Sequence, residues 1–397
     1  MQKNGLRIAK AVLACLAALM TAAHAASGCV SPSAWTNLEQ QTPGAISAAK
    51  VMDEMAKRDV VLLGEYHDDA DHHRWQLQVL SDLYLLRPDM VIGFEMFPRR
   101  VQPALDRWVA GELTVKQFLE QSDWSKVWNT SPELYLPLFQ FARLNRIPMI
   151  ALNVENALNK AVREKGWDAV PDSQREGLGK PAAPSDDYRN FLLEIYRMHL
   201  AAHGKAQDKV RASDPGFRRF VESQTTWDRA MAEALAQRAR PAQAGAAPLV
   251  VGIIGAGHVR FGRGVAHQLR DLGIRNVGSL LAVEHDADCK EIRNGLASAV
   301  FTLPPQAQEK QAPPRLGVRL DDSGDAVRIV DVSAGSLAEQ TGLKADDRLL
   351  EVGGAPVKAA AQVAQAVRSQ PAGTWLPIRI RRGAEALDIV VKFPVNP

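Results

Sequence analysis

Five short apolar runs along the chain predict buried strands. They lack the alternation of polar and apolar residues that marks a half-exposed sheet, so we expect each to be covered on both faces. The runs are residues 60–63, 90–94, 148–152, 249–254 and 277–281. Amphipathic helical patterns separate them, for example at residues 71–84 and 132–143. This order predicts an α/β domain, residues 35–303, with a mostly parallel sheet flanked by helices.

One long segment interrupts this alternation. Residues 167–184 are rich in Pro, Gly, Ser and charge and predict an irregular surface segment. Residues 187–203 and 214–240 then predict two helices. We expect a helical insertion between strands that caps the upper edge of the sheet.

The pattern changes again near the C-terminus. Residues 304–314 contain two Pro-Pro pairs and several glutamines, have little to bury, and predict a linker. Residues 315–394 follow with short alternating strands, turns and one helix near residues 359–370. The sequence therefore predicts a second, small α+β domain.

The N-terminus predicts export. Three basic residues precede an apolar stretch at residues 11–20, and Ala23-His24-Ala25 follows as a cleavage site. Cleavage there removes residues 1–25. Alternatively, residues 26–29 resemble a lipoprotein site, so that residues 1–28 are removed and Cys29 is lipidated. We expect a periplasmic or lipid-anchored protein, attached to a membrane through Cys29 or not at all.

Composition narrows the function classes. The chain of 397 residues has a formal net charge of +3, and its charges of both signs are interspersed, so we expect no nucleic-acid partner. Cys29 and Cys289 are the two cysteines that follow the signal. In an oxidising compartment they could form a disulfide, unless Cys29 is lipidated or both remain free thiols.

Polar side chains follow the strong apolar runs. Glu65 and His67 come after the first, Glu95 after the second, Asn153 after the third and His258 after the fourth. The carboxyl ends of parallel strands meet at one edge of a sheet, where α/β folds place their ligand sites. We therefore expect these side chains to share a pocket.

The chemistry of this set leaves two uses open. His67 and His258 each end a Gly-x-x-His motif, and together with Glu65 and Glu95 they offer nitrogen and oxygen ligands for a divalent transition metal. The same groups could act as general acids and bases without a metal. His72 could approach this site from the following helix. The alternative is a structural network in which the carboxylates pair with neighbouring arginines.

Three motifs together resemble a known family. They are Gly64-Glu65-Tyr66-His67-Asp68 with His72-His73, Gly93-Phe94-Glu95-Met96-Phe97, and Gly255-Ala256-Gly257-His258. This combination resembles the ChaN-like domain, described as haem-binding uptake proteins that are often bacterial lipoproteins. The wider group includes the Tiki metalloproteases and the erythromycin esterases. The resemblance covers about Trp35–Leu303.

The resemblance implies two functions. The ChaN branch, favoured by the residues after Glu95, implies haem binding and haem or iron uptake. The Tiki branch implies a metal-dependent hydrolase or peptidase that uses the paired histidines and a glutamate. For haem, the candidate iron ligands are Tyr66, His67, His72 and His258, with Arg99 or Arg100 meeting the propionates. Asn153 is a further candidate for ligand binding at the same edge.

The C-terminal region resembles a bacterial periplasmic PDZ domain. The residues that carry the likeness are Leu316-Gly317-Val318, Ser336-Leu337-Ala338, Gly342-Leu343, Asp346-Asp347 and Val352-Gly353-Gly354. The resemblance implies that a peptide C-terminus or an envelope protein docks there as an added strand. Leu316, Gly317 and Val318 would hold the carboxylate, and Val363 and Val367 would line the pocket. The alternative is a module used for docking alone.

Overall fold

The computed structural model describes residues 31–40, 42–128, 130–202, 210–240, 247–305 and 314–395. The chain forms two compact units, divided between residues 305 and 306. The export signal at residues 1–25, Cys29 and most of the linker lie outside the described residues, so export, lipidation and the Cys29–Cys289 pair stay predictions. No helix in the described ranges has the length and apolar character that a membrane span needs.

An eight-stranded sheet forms the centre of the large unit. Its spatial order is β2-β1-β8-β7-β3-β6-β4-β5; β1 runs antiparallel to β2 and β8, and all other neighbours are parallel. The strands are β1 (Trp35–Asn37), β2 (Gly44–Ile46), β3 (Val60–Glu65), β4 (Met90–Pro98), β5 (Met149–Asn153), β6 (Leu249–Gly255), β7 (Val277–Val283) and β8 (Ala299–Thr302).

Helices follow most of the parallel strands. They are α1 (Ala48–Met55), α2 (Ala70–Leu86), α3 (Gln102–Val109), α4 (Val115–Gln121), α5 (Trp124–Val127), α6 (Pro132–Leu144), α7 (Asn156–Lys165), α8 (Asp186–Ala202), α9 (Pro215–Ala239), α10 (Ala256–Val259) and α11 (Val265–Asp271). Short 3-10 turns lie at Arg99–Val101, Trp167–Ala169, Asp172–Gln174 and Arg260–Gly262.

Both faces of the sheet are buried, which explains the continuous apolar runs. On β3, Val61 and Leu63 join a core with residues of α1 to α6, whereas Val60 and Leu62 join a second core with residues of α9 and α11. Successive strand side chains point to opposite faces, so a strand covered on both sides needs apolar residues throughout. The structure confirms the predicted α/β class and its mostly parallel sheet.

Three strands escaped prediction. β1, β2 and β8 have three or four residues each, and β1 joins β8 by antiparallel pairing. Segments this short carry too few residues for a periodic signal. The predicted helical insertion is present as α8 and α9, which lie in the chain between β5 and β6.

The outer edge of β5 is closed by a side chain. The amide of Gln102 donates to Met149 O at 2.7 Å and accepts from Ala151 N at 2.9 Å. One glutamine thus satisfies the backbone groups that a further strand would otherwise pair with, which protects a sheet edge against association.

The C-terminal unit is a small antiparallel sheet with two helices. Its elements are β9 (Val318–Asp321), β10 (Val327–Val332), α12 (Leu337–Gln340), β11 (Arg348–Val352), β12 (Ala355–Pro356), α13 (Ala360–Arg368), β13 (Trp375–Arg382) and β14 (Glu385–Lys392). The strand order is β14-β13-β11-β10-β9, with β12 beside β11. Strand β9 therefore lies at one end of the sheet.

Candidate functional site

The carboxyl ends of three adjacent parallel strands meet at one level. Glu65, the last residue of β3, faces Gly255, the last residue of β6, in register. Glu95 lies on β4, the other neighbour of β6. His67 and His258 follow β3 and β6 within three residues. The structure thus brings together the four side chains that the strand-end pattern singled out.

Glu65 orients the imidazole of His67. Nδ1 of His67 lies 2.9 Å from Glu65 Oε1, and its ring makes an edge contact with Trp128 at 4.7 Å between centroids. Burial is the largest single influence and lowers the pKa of His67, but the hydrogen bond to Glu65 and the charges of Glu65 and Glu95 together raise the pKa above its ordinary value. A histidine held at Nδ1 by a carboxylate presents Nε2 to a ligand.

Glu65 is itself buried among donors. The Tyr135 hydroxyl donates to Oε1 at 2.6 Å, and His73 Nδ1 lies 3.2 Å from Oε2. Burial alone raises the pKa of Glu65, but the contacts from His67, His73 and Tyr135 reverse this and lower the pKa to about 2. The site therefore has an ionised carboxylate at its base.

His73 contacts the backbone of the turn that contains His67. Its Nε2 lies 3.1 Å from the backbone oxygen of His67, and its Nδ1 lies 3.2 Å from Gln76 Oε1. Burial lowers the pKa of His73, and the Glu65 contact raises it above its ordinary value. His73 supports Glu65 and His67 and stays buried, in keeping with its position on the apolar stripe of α2.

A residue of the helical insertion orients His258. Asp228 on α9 is fully buried; its Oδ1 lies 2.7 Å from His258 Nδ1, and its Oδ2 accepts from the Tyr188 hydroxyl at 2.8 Å. Burial lowers the pKa of His258, but the Asp228 carboxylate, with a smaller contribution from Glu95, reverses this and raises the pKa to about 9. Both histidines of the Gly-x-x-His motifs therefore share one design, with a carboxylate on Nδ1.

Glu95 lies between the two histidines. Its Oε2 accepts from the backbone N–H of Gly255 at 2.5 Å, and its Oε1 lies 3.9 Å from His258 Nε2. Glu95 Oε1 is buried and has no hydrogen-bond partner among the described residues. A buried carboxylate oxygen without a partner is costly, which is typical of a site that receives a proton, a metal or a ligand.

Gly255 leaves the space in which these groups meet. A Cβ at this position would lie 2.8 Å from His67 Cε1, 3.2 Å from His67 Nε2 and 3.4 Å from Glu95 Oε2. The φ of Gly255 is −56°, which any residue adopts. The glycine is therefore required by the close approach of His67 and Glu95, and its backbone conformation does not require a glycine.

Replacing Gly255 by alanine should displace His67 and lower the free energy of unfolding by about 1–3 kcal/mol, because the new methyl group overlaps the imidazole. Urea denaturation measures this loss. Gly257→Ala is the matched control, since a Cβ there meets nothing within 4 Å and the residue lies in α10. Equal losses for the two variants would contradict the packing argument.

The site opens into a cavity of about 570 Å³. Its polar wall contains Glu65, His67 and His258, and its apolar wall comes from α8. Tyr66 lies at the mouth with 49% of its surface exposed. The full lining is Glu65, Tyr66, His67, Asp68, Thr130, Tyr188, Phe191, Leu192, Ile195, Gln224, Gly255, Ala256, Gly257 and His258.

Three predicted site residues lie elsewhere. Asn153 is buried and bridges strands, donating to Glu95 O at 3.0 Å. Arg99 donates to backbone oxygens of Glu176 and Ala230 and lines a separate groove. Arg100 pairs with acidic side chains at 2.7 Å. None of the three lines the histidine cavity. For the two arginines the reason is that the segment after Glu95 turns toward α9 and α5.

His72 also lies outside the cavity. It is 1% exposed, and its Nδ1 accepts from the backbone N–H of Tyr66 at 3.4 Å. Within the described ranges, Asp69, His72 and Glu284 form a group whose ligand atoms lie within 4.8 Å of one another. The His67, Glu95 and His258 atoms do not all meet that spacing as they stand.

The predicted peptide-binding residues form one apolar cluster in the C-terminal unit. Leu316, Val363 and Val367 are buried together, and Val318 packs against them. Gly317 has a φ of +78°, and its missing side chain avoids Ser336. Leu316, Val363 and Val367 therefore belong to the core of the C-terminal unit.

Sequence reasoning missed Tyr135, Tyr188 and Asp228. All three lie within amphipathic helices, where a polar group at one position reads as part of the helix surface. Asp228 is fully buried, although an acidic residue within a helix is usually exposed to solvent. An acidic residue on the apolar side of α9 was the available signal, and it is visible only when the phase of the helix is known.

Comparison with known families gives two matches. Residues 51–269 match the model of a family described as haem-binding uptake, Tiki superfamily, ChaN. Residues 314–393 match the PDZ domain. No curated protein matches the chain.

Two solved structures are similar to parts of this chain. One similar structure is titled cofacial heme binding to ChaN of Campylobacter jejuni, with a TM-score of 0.50, 18% identity, and coverage of 67% of this chain and 96% of that chain. Another is the HtrA3 PDZ domain bound to a phage-derived ligand, with a TM-score of 0.18, 18% identity, and coverage of 20% of this chain and 82% of that chain. At this identity the first likeness shows the fold alone.

Proposed function

Since the chain belongs to the haem-binding uptake family of the Tiki superfamily, ChaN, over residues 51–269, we propose that its large unit binds haem in the histidine cavity. The observation that carries the proposal is a cavity with one polar wall, one apolar wall and an exposed tyrosine at its mouth. Its volume of about 570 Å³ falls in the range of small-molecule and cofactor sites.

The lining fits a flat, mostly apolar ring. Phe191, Leu192 and Ile195 of α8 and the ring of Tyr66 supply the apolar and aromatic surface. The cavity is lined by no lysine or arginine among the described residues, so the positive charge facing a ligand comes from His67 and His258. The expected propionate contacts of Arg99 and Arg100 are therefore not part of the proposal.

Tyr66 is the residue that we assign to the haem iron. Its hydroxyl is at the exposed mouth and makes no hydrogen bond within the described residues, whereas His67 and His258 are held at Nδ1 with Nε2 directed toward the Glu95 floor. His72 is buried and outside the cavity. Tyrosine is one of the side chains that hold haem iron in proteins.

Haem would supply the iron centre, and the side chains of the cavity would supply charge beside it. Asp228 and Glu65 keep the imidazoles of His258 and His67 in fixed orientations. Burial opposes the charge on both histidines, but the neighbouring carboxylates raise their pKa values and favour the protonated forms. The two imidazoles can therefore interact favourably with a negative group that enters the cavity.

The test is a haem titration of the purified full-length mature protein, followed by absorbance in the Soret region. We expect Tyr66→Phe to weaken haem binding at least tenfold and to remove the absorption typical of tyrosinate bound to ferric iron. Tyr84→Phe is the control, because Tyr84 packs on Phe141 away from the cavity. Unchanged affinity and spectrum in Tyr66→Phe would overturn the ligand assignment, and the absence of haem binding to the unaltered protein would overturn the function.

The wider role that we propose is haem or iron uptake at the cell envelope. The basic and apolar N-terminal segment supports export to the periplasm, with a lipid anchor at Cys29 as the alternative. The PDZ domain would dock a partner through a peptide C-terminus, supported by the open end of its sheet at β9. Fractionation of cells that express the full-length chain tests the location.

A metal-dependent hydrolase is the second candidate. The observation that favours it is the pair of Nδ1–carboxylate contacts on His67 and His258, which is the arrangement that surrounds metal-binding histidines. The unpartnered Glu95 Oε1 would be the third ligand. Metal analysis after dialysis tests it: one bound zinc per chain, lost in both His67→Ala and His258→Ala, would favour the hydrolase over haem binding.

A further inference from the structure

Strand β9 offers an open edge of the C-terminal sheet. It is the last strand in the order β14-β13-β11-β10-β9 and pairs with β10 on one side, and no described strand lies on the other. Such an edge is where an extended peptide can add as a further strand. Which peptide binds this edge is inferred below on the basis of the docking function proposed above.

The ladder fixes which backbone groups face outward. Ser333 N donates to Gly317 O at 2.8 Å, and the next pair in register is Val332 with Val318. Hydrogen-bonded and non-hydrogen-bonded pairs alternate in an antiparallel ladder. The N–H and C=O groups of Val318, and in the same phase those of Leu320, therefore point to the open edge.

The loop before β9 fixes where the peptide ends. The carbonyl of Leu316 accepts from Ala338 N at 2.9 Å, and that of Gly317 accepts from Ser333 N. Both carbonyls are thus turned toward the rest of the unit, and the N–H groups of Gly317 and Val318 in the same peptide planes point the other way. A terminal carboxylate bound there places the last peptide residue opposite Val318.

Arg319 then faces the next-to-last residue. Val318 and Leu320 pack toward the apolar core, so the alternation of a strand turns Arg319 to the other face, where it is exposed. Asp331 lies across β10 from Arg319 in register, yet no ion pair joins the two in the part of the chain described. Directly opposite residues of an antiparallel pair interact, and opposite charges there are favourable.

We propose that Arg319 gives the PDZ domain a preference, among peptides with a free C-terminus, for those with an acidic next-to-last residue. The test peptides keep an apolar last residue, because Leu316 and Val318 of the carboxylate loop belong to the same apolar cluster as Val363 and Val367. The competing interpretation is that Arg319 merely deters strand association at an exposed edge. On that interpretation, peptides with an acidic or a basic next-to-last residue would bind equally well.

The test uses the full-length protein and short fluorescein-labelled peptides that end in Ala-Glu-Val, Ala-Gln-Val or Ala-Lys-Val, with binding followed by fluorescence anisotropy. We expect the Glu peptide to bind about fivefold more tightly than the Lys peptide, with a smaller ratio at high salt. Arg319→Glu should reverse the order. Arg381→Glu is the matched control, since Arg381 is exposed on β13, which β11 and β10 separate from β9.

The outcomes distinguish the role of Arg319 from peptide docking itself. Equal binding of the Glu and Lys peptides, or a preference that survives Arg319→Glu, would overturn the role of Arg319 while peptide docking stands. Amidated peptides should not bind, because they lack the terminal carboxylate. If no peptide binds, docking through β9 fails and the selectivity fails with it, whereas haem binding by the large unit is unaffected.

Discussion

Replacing Glu65 by alanine should lower the free energy of unfolding of the large unit by about 3–5 kcal/mol. Three groups contact this carboxylate: the Tyr135 hydroxyl at 2.6 Å, His67 Nδ1 at 2.9 Å and His73 Nδ1 at 3.2 Å. Tyr135 and His73 are buried, so they would lose their acceptor without gaining water. Removing one partner of a buried charged set leaves the others uncompensated.

Chemical denaturation followed by tryptophan fluorescence measures the loss, since Trp375 lies in the C-terminal unit and the other tryptophans lie in the large one. Glu112→Ala is the control, because Glu112 forms an exposed ion pair with Arg107 and such pairs contribute at most about 1 kcal/mol. A loss for Glu65→Ala no larger than that of the control would contradict the view that Glu65 holds the site together.

The free energy of unfolding should also fall by about 3 kcal/mol as the pH rises from 6.5 to 9. Burial opposes the charge on His258, but Asp228, with a smaller contribution from Glu95, raises the pKa of His258 from 6.5 to about 9. A group whose pKa is raised by folding stabilises the folded state fully below its unfolded pKa, and this stabilisation is lost as the pH passes the folded value. His67 and His73 have raised pKa values and act in the same direction.

Denaturation midpoints at a series of pH values check this second prediction. Asp228→Asn removes the charge that raises the pKa of His258 while keeping a side chain of similar shape beside Tyr188. The fall in stability should then become markedly shallower. An identical slope in the variant would show that Asp228 does not control the protonation of His258.

The central strands of the fold could be predicted because burial on both faces leaves a strong local signal. Val60–Leu63 and Leu249–Ile254 are continuous apolar runs for this reason. β1 and β8 could not be predicted, because three or four residues show no period and their pairing joins distant parts of the chain. The same holds for Gln102, whose role at the β5 edge depends on tertiary structure alone.

The candidate site was predictable where chemistry follows a strand end and unpredictable where it comes from a helix. Glu65, His67, Glu95 and His258 lie together because parallel strands end at one edge. Arg99 and Arg100 follow Glu95 in sequence but contact other segments. Their nearness to Glu95 in sequence therefore did not place them at the site. Asp228 reaches His258 from the insertion, and only the packing of α9 brings it there.

Strand β6 lies between β3 and β4 although it follows them by more than a hundred and fifty positions. During synthesis, β3 and β4 therefore leave the ribosome long before the strand that separates them exists, and contacts between such distant segments form slowly. A nascent chain lacking Leu249–Gly255 holds Glu65 and Glu95 without their common neighbour. The site is thus completed late, and a truncated product that ends before β6 lacks both His258 and the Gly255 N–H that Glu95 accepts from.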